Sequence, residues 1–125
     1  MSDLIQSLAL AASGMDAQAR RLRHVTENIA NADTPGYRRK TVAFHATADG
    51  GVRTGPVRLD PRSLPQVFDP AHPLADESGH YLGANVDPVI ELADAREARR
   101  SYDANLRMFD QARQMTQSLL ELLRR

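Results

Sequence analysis

Apolar side chains near the start of the chain return at spacings that alternate between four and three. They are Leu4, Leu8, Ala11, Met15, Leu22, Val25 and Ile29, with Gln18 as the one polar interruption. That is the a/d repeat of a coiled-coil seam, and it predicts a helix of about 28 residues, on the order of 40 Å long. Asp3 and Gln6 have the spacing of a capping box at its start. Ala9, Ala11, Ala12, Gly14, Ala17 and Ala19 make much of its surface small, so neighbours can approach closely. Gly14 lowers the intrinsic stability of such a helix by about 1 kcal/mol relative to alanine. A helix of this kind needs partners.

The period changes at Pro35. Val42 and Phe44 alternate as a strand does, Asp49-Gly50-Gly51 signals a turn, and Val57 and Leu59 alternate again, so residues 41–60 read as a hairpin. Leu64 to Phe68 supplies material for another short strand, and His72 to Gly83 reads as loop. Six of the seven prolines fall between Pro35 and Pro73. This middle is poor in large apolar residues, and a core of its own is marginal.

Asp87-Pro88 then opens a second helix, with Asp at the N-cap, Pro at the first helical position, and Glu91 and Asp94 in the opening turns where acids suit the dipole. It runs to the end of the chain over about 38 residues, on the order of 55 Å. Its broad stripe includes Leu92, Ala95, Ala98, Tyr102, Leu106, Phe109, Ala112, Met115, Leu119 and Leu122 or Leu123. Charged residues lace the outer face, with Asp103 and Arg107 in the favourable i,i+4 order.

The predicted architecture is therefore mainly α with a small β-rich insert: an N-terminal assembly helix over 1–32, an insert over 33–86 and a C-terminal assembly helix over 87–125. Two helices cover only one side of each other. A coiled-coil-like pair of this sort either stands alone as a hairpin or shares its helices among many copies. The heptad seam, the small surface and the weak middle favour helical assembly.

Composition narrows the function. The 16 basic and 16 acidic residues cancel, which leaves no electrostatic footprint for nucleic acid. The absence of cysteine excludes disulfides, thiolate nucleophiles and Cys-based metal sites. The first residues lack the basic region of a cleavable signal peptide, and no run approaches the roughly 20 apolar residues that span a bilayer. His72, Asp76, Glu77 and His80 could in principle hold a divalent cation, but a Pro/Gly loop fixes no spacing among them, and solvated polarity is the plainer reading. No nucleophile–base arrangement and no phosphate loop is present. Arg20-Arg21 and Arg38-Arg39-Lys40 read as charge pairing within an interface or as solvated charge. Nothing calls for a cofactor, a metal, a small-molecule substrate or catalysis.

The end of the first helix is the most particular stretch: Asn28, Ile29, Ala30, Asn31, then Thr34, Pro35, Gly36 and Tyr37, followed by Arg38-Arg39-Lys40. This N-I-A-N-x-x-T-x-G-Y pattern strongly resembles the signature of the bacterial flagellar rod and hook proteins. Downstream, H-P-L-A-D with Asn85-Val86-Asp87, and Arg100-Ser101-Tyr102 with Asn105, resemble the proximal-rod members of that family. The resemblance covers roughly residues 8–45 and 72–123. The turn Asp33 to Gly36 is more compact than in many chains of one proximal-rod subfamily, so the choice against its sister rests on the C-terminal motifs.

The resemblance implies a structural subunit exported through the flagellar type III apparatus without a cleaved signal peptide. It implies assembly into the periplasm-spanning rod that transmits torque. The implied partners are further copies of itself, the other proximal rod proteins, the adaptor between rod and export gate, and the distal rod protein. The alternatives carried beside it are the sister proximal-rod protein, a free-standing helical-hairpin adaptor, and a remote metal-assisted hydrolase on the His72–His80 loop.

Overall fold

The structure is a computed structural model and describes residues 2–125. Helix α1 spans Ser2–Ala30 and helix α2 spans Pro88–Arg124. Between them lie β1 (Lys40–Thr41), β2 (Phe44–Ala46), β3 (Val52–Thr54), β4 (Arg58–Leu59), β5 (Gln66–Phe68) and β6 (His80–Leu82). The two helices pack against each other as an antiparallel pair with the small insert between them in sequence, as the periodicities predict.

The insert is two ribbons. In the first, β2 pairs with β3, and β1 pairs with β4 beyond them, all antiparallel. Val42-Ala43 faces the longer Gly55-Pro56-Val57, so the ladder breaks between the two pairings, where Pro56 has no N–H to donate. This ribbon lies along α1: the Val52 amide donates to Ser13 Oγ at 3.2 Å and Gln6 Nε2 donates to the Asp49 carbonyl at 3.5 Å. The second ribbon pairs β5 with β6. Strand β6 corrects the expectation of a loop over 72–83. Three residues within a Pro/Gly stretch carry no readable alternation, and β6 exists because β5 presents an edge to it.

The start of α1 also differs from expectation. Asp3 lies inside the first turn, and Gln6 turns to Asp49 instead of closing a capping box. Asp87 caps α2 as its sequence predicts, accepting from the Val89 amide at 3.0 Å. The expected Asp103–Arg107 pair does not form, whereas Asp16–Arg20 and Asp110–Arg113 do.

The most deeply covered seam positions within the chain are Val25 and four alanines, and the larger apolar residues are covered only in part. Ala11, Ala17, Val25, Ala98 and Ala112 are buried, while Leu4, Leu8, Met15, Leu22, Tyr102 and Phe109 are half-buried. Ile29, Leu106, Leu119 and Leu123 are exposed, Leu123 at 76%. Leucines at a and d positions would hold two helices farther apart than alanines do, and here the backbones are close. A Cβ added at Gly14 would sit 2.6 Å from Asn105 Oδ1. Asn105 cannot give way freely, because its Nδ2 donates to the Ser101 carbonyl at 2.9 Å.

Gly14→Ala is therefore expected to lower stability by about 1 kcal/mol in urea unfolding, although helix propensity alone would raise it by a similar amount. Adding Asn105→Ala should recover that loss by opening the crossing.

A candidate joint between the helices and the insert

Helix α1 ends by turning its last donors and acceptors on its own residues. The Asn31 amide and Nδ2 both donate to the Glu27 carbonyl, at 3.0 and 2.8 Å, and Thr34 Oγ1 donates to Asn31 Oδ1 at 3.1 Å. Gly36 follows with φ of 75°, a left-handed conformation that glycine adopts without steric cost. Its amide donates to the Leu82 carbonyl at 3.1 Å, and the Asn85 amide donates to the Tyr37 carbonyl at 3.3 Å. The turn is thus stitched to the end of β6, which fixes where the chain must enter α2.

Beneath this turn sits Asn28, whose side chain has no exposed surface. Its Oδ1 accepts from Tyr37 Oη at 2.8 Å and from the Lys40 amide at 2.9 Å. Its Nδ2 donates to the Lys40 carbonyl at 2.9 Å and to Glu91 Oε2 at 3.2 Å. All four of its bonding positions are filled. One amide side chain holds the end of α1, the start of the insert and the first turn of α2.

Glu91 is equally buried, and its Oε1 accepts from Arg39 Nε. Arg39 also reaches Asp94 Oδ2 at 2.9 Å, and Asp94 Oδ1 accepts from Arg21 at 3.4 Å. The Arg39 backbone amide donates to Asn85 Oδ1 at 2.7 Å, and Asn85 Nδ2 donates to the carbonyls of Asp60 and Arg62. Arg38 donates to those same two carbonyls. A carboxylate removed from water is tolerable only with its partners in place, and Glu91 has a guanidinium and an amide on its two oxygens.

The rim is charged. Lys40 Nζ lies 2.8 Å from Glu27 Oε2, and this hydrogen bond holds the Glu27 carboxyl below the usual glutamate range and raises Lys40. Burial pushes the Tyr37 hydroxyl up, so it donates to Asn28 as a neutral phenol.

The motif residues divide into two groups. Asn28, Asn31, Thr34, Gly36, Tyr37 and Asn85 come together at the joint, with Pro35 and Val86 half-buried beside it and Ile29 and Ala30 facing outward. Asn105, with the Ser101 carbonyl that holds it, belongs instead to the helix crossing at Gly14, Tyr102 lines a hollow with Leu22 and Thr26, and Arg100 is exposed. Glu91 and Arg39 are essential parts of the joint that sequence reasoning placed elsewhere. Glu91 read as a dipole partner in an opening turn, and Arg39 as interface or solvated charge. Their spacing carried a usable signal: Glu91 lies four residues after Asp87, on the face of α2 that continues to Ala95 and Ala98.

The His72–His80 loop gathers no cation site. The His72 ring stacks on Tyr81 at 3.9 Å, and Asp76 Oδ1 accepts from Ser78 and from the His80 amide. Among the described residues, no group of three or more His, Asp or Glu side chains is placed to hold a metal ion.

Comparison with known proteins bears directly on this joint. The family model described as "Flagella basal body rod protein" matches residues 8–38, which end on the stitched turn. The model described as "Flagellar basal body rod FlgEFG protein C-terminal" matches residues 77–122, from β6 through α2. The flagellar basal-body rod protein FlgC of Agrobacterium fabrum is 42% identical over 99% of this chain and 98% of its own length. The chain belongs to the FlgC family of flagellar basal-body rod proteins.

The FlgC proteins of Salmonella typhimurium and Aquifex aeolicus are 34% and 32% identical, over 95% and 97% of this chain. This rod protein is thus a structural subunit and not an enzyme, and it assembles with other rod subunits. Among the described residues no helix is long and apolar enough to cross a membrane.

Proposed function

We propose that this rod protein is a torque-bearing subunit of the proximal rod, in which the polar joint keeps the insert rigidly oriented on the helix pair. The chain then divides by task into an N-terminal assembly helix (1–32), an insert (33–86) and a C-terminal assembly helix (87–125). The observation that carries this reading is Asn28, whose single side chain ties three segments together with no exposed surface. A subunit under twist must not hinge between its inner helices and its outer part, and a fully satisfied buried network resists such hinging.

The assembly seam assigned here is Leu4, Leu8, Ala11, Met15, Leu22, Val25, Ile29, Tyr102, Leu106, Phe109, Leu119 and Leu123. Exposure of Ile29, Leu106, Leu119 and Leu123 in the single chain supports their use between subunits. The partners are further copies, the other proximal rod proteins, the adaptor between rod and export gate, and the distal rod protein. Delivery is through the flagellar type III apparatus, with the chain unfolded.

Asn31→Ala and Gly36→Val test the joint separately from export. Both chains are expected to leave the cell at wild-type levels while rods fail to form and motility is lost. Normal swimming with both variants contradicts a mechanical role for the turn.

A further inference from the structure

The ribbon of β1 to β4 changes register halfway along. Phe44 pairs with Thr54 and Ala46 with Val52, but Thr41 pairs with Arg58 and Lys40 with Leu59. Between these pairings the second strand carries one residue more than the first. The Gly55 amide donates to the Ala43 carbonyl at 2.8 Å, which leaves the extra residue at Pro56-Val57, opposite Val42. A bulge of this kind bends its strand and interrupts the ladder, and Pro56 has no N–H with which to bridge the gap.

The halves on either side of the bulge are held very differently. Strands β1 and β4 are built into the joint. Asn28 bonds both the amide and the carbonyl of Lys40, and the Asp60 amide donates to the Arg39 carbonyl at 2.8 Å. Beyond the bulge, Phe44, His45 and Ala46 of β2 are all exposed. Among the described residues, two hydrogen bonds tie this half to the helices. The Val52 amide donates to Ser13 Oγ at 3.2 Å, and Gln6 Nε2 reaches the Asp49 carbonyl at 3.5 Å. An open hollow of about 410 Å³ lies beneath, lined by Leu10, Gln18, Phe44, Asn105 and Met108 among others. Gln18 Oε1 is buried with no hydrogen-bond partner among the described residues, and such an acceptor favours any motion that brings water to it.

We propose that β2 and β3 form a hinged strap, closed here over α1 beside the Gly14–Asn105 crossing, which lifts as one piece about the Pro56-Val57 bulge. Strands β1 and β4 stay fixed to the joint as it does so. Lifting uncovers the Leu10–Gln18 face of α1 while Asn28 keeps its four bonds. The insert thus has a rigid base and a movable tip, and the tip sets when that face of α1 is accessible. Off the helix, a two-stranded ribbon is marginal, so the ladder between β2 and β3 opens once the strap has lifted.

Amide hydrogen exchange on the purified full-length chain tests this. The Val52 and Lys40 amides form a matched pair, since each donates to one side-chain oxygen, on Ser13 and on Asn28. Val52 should exchange at least about a hundredfold faster. Equal protection would overturn the strap. The chain has no cysteine, and a Cβ added at Gly51 would sit 3.0 Å from Ser13 Oγ, so Ser13→Cys with Gly51→Cys can be locked by oxidation. The Thr47 amide, which donates to the Gly51 carbonyl, should exchange about tenfold more slowly in the oxidised form than in the reduced one, with Lys40 unchanged. No slowing at Thr47, or equal slowing at Lys40, would overturn a hinge at the bulge. Ser13→Ala gives the same answer without the disulfide. It should speed Thr47 about fivefold and leave Lys40 alone, and an unaltered Thr47 would show that the ribbon does not lift as a unit.

Discussion

Glu91→Ala is expected to lower the stability of the isolated chain by about 3–5 kcal/mol, a large share of the roughly 5–15 kcal/mol that holds an ordinary domain folded. The cost comes from what the carboxylate leaves behind. Arg39 loses the partner on its Nε and keeps only Asp94, and Asn28 Nδ2 loses one of its two acceptors. A cavity of carboxylate size opens under the turn at the same time. Urea unfolding followed by circular dichroism checks the magnitude. Glu91→Gln is the informative companion, since it keeps volume and one acceptor but removes the charge. It should cost less than the alanine change, and a cost equal to alanine's would assign the whole effect to the Arg39 pair.

Asn28→Asp should be comparably severe although the two side chains are nearly the same size. An ionised aspartate cannot donate, so the Lys40 carbonyl and Glu91 Oε2 both lose their hydrogen bond, and a second carboxylate then faces Glu91 in a site closed to water. A loss of about 3 kcal/mol at neutral pH is expected, recovering in part as acidification protonates one of the two acids. Asn28→Ala should be milder, because it removes bonds without adding charge. If aspartate and alanine prove equal in unfolding experiments, the electrostatic part of this account is wrong.

Much of this architecture is legible in the chain itself. Helices α1 and α2 declare themselves by period, Asp87-Pro88 marks the start of α2, and the breaking of that period at Pro35 separates insert from helices. What is not legible is which helix face meets which. Ala11 and Val25 of the heptad repeat and Ala98 and Ala112 of the second stripe are buried, whereas the close approach of Gly14 to Asn105 leaves no mark in either pattern. A repeat pattern records that a face is apolar without recording whose helix it meets.

The joint was half legible for a similar reason. Asn28, Asn31 and Gly36 stand out as an odd way to end a helix, whereas Glu91 and Arg39 look like surface charge until the fold carries each to the other. Strand β6 has the same origin, since His80–Leu82 is a strand only because Gln66–Phe68 lies beside it. Neither the 52-residue separation of Arg39 from Glu91 nor the Pro/Gly loop between β5 and β6 leaves a local period to read.

The central claim is that the joint is mechanical: it serves the assembled rod and not delivery of the chain. The most direct measurement is the ratio of incorporated to exported chain for Asn28→Ala, taken from purified basal bodies and from secreted protein in cells lacking their own copy. The account predicts export near the wild-type level with incorporation reduced at least about tenfold, since a chain that hinges at the joint cannot hold its place under neighbours. Wild-type incorporation and swimming in that variant would contradict it.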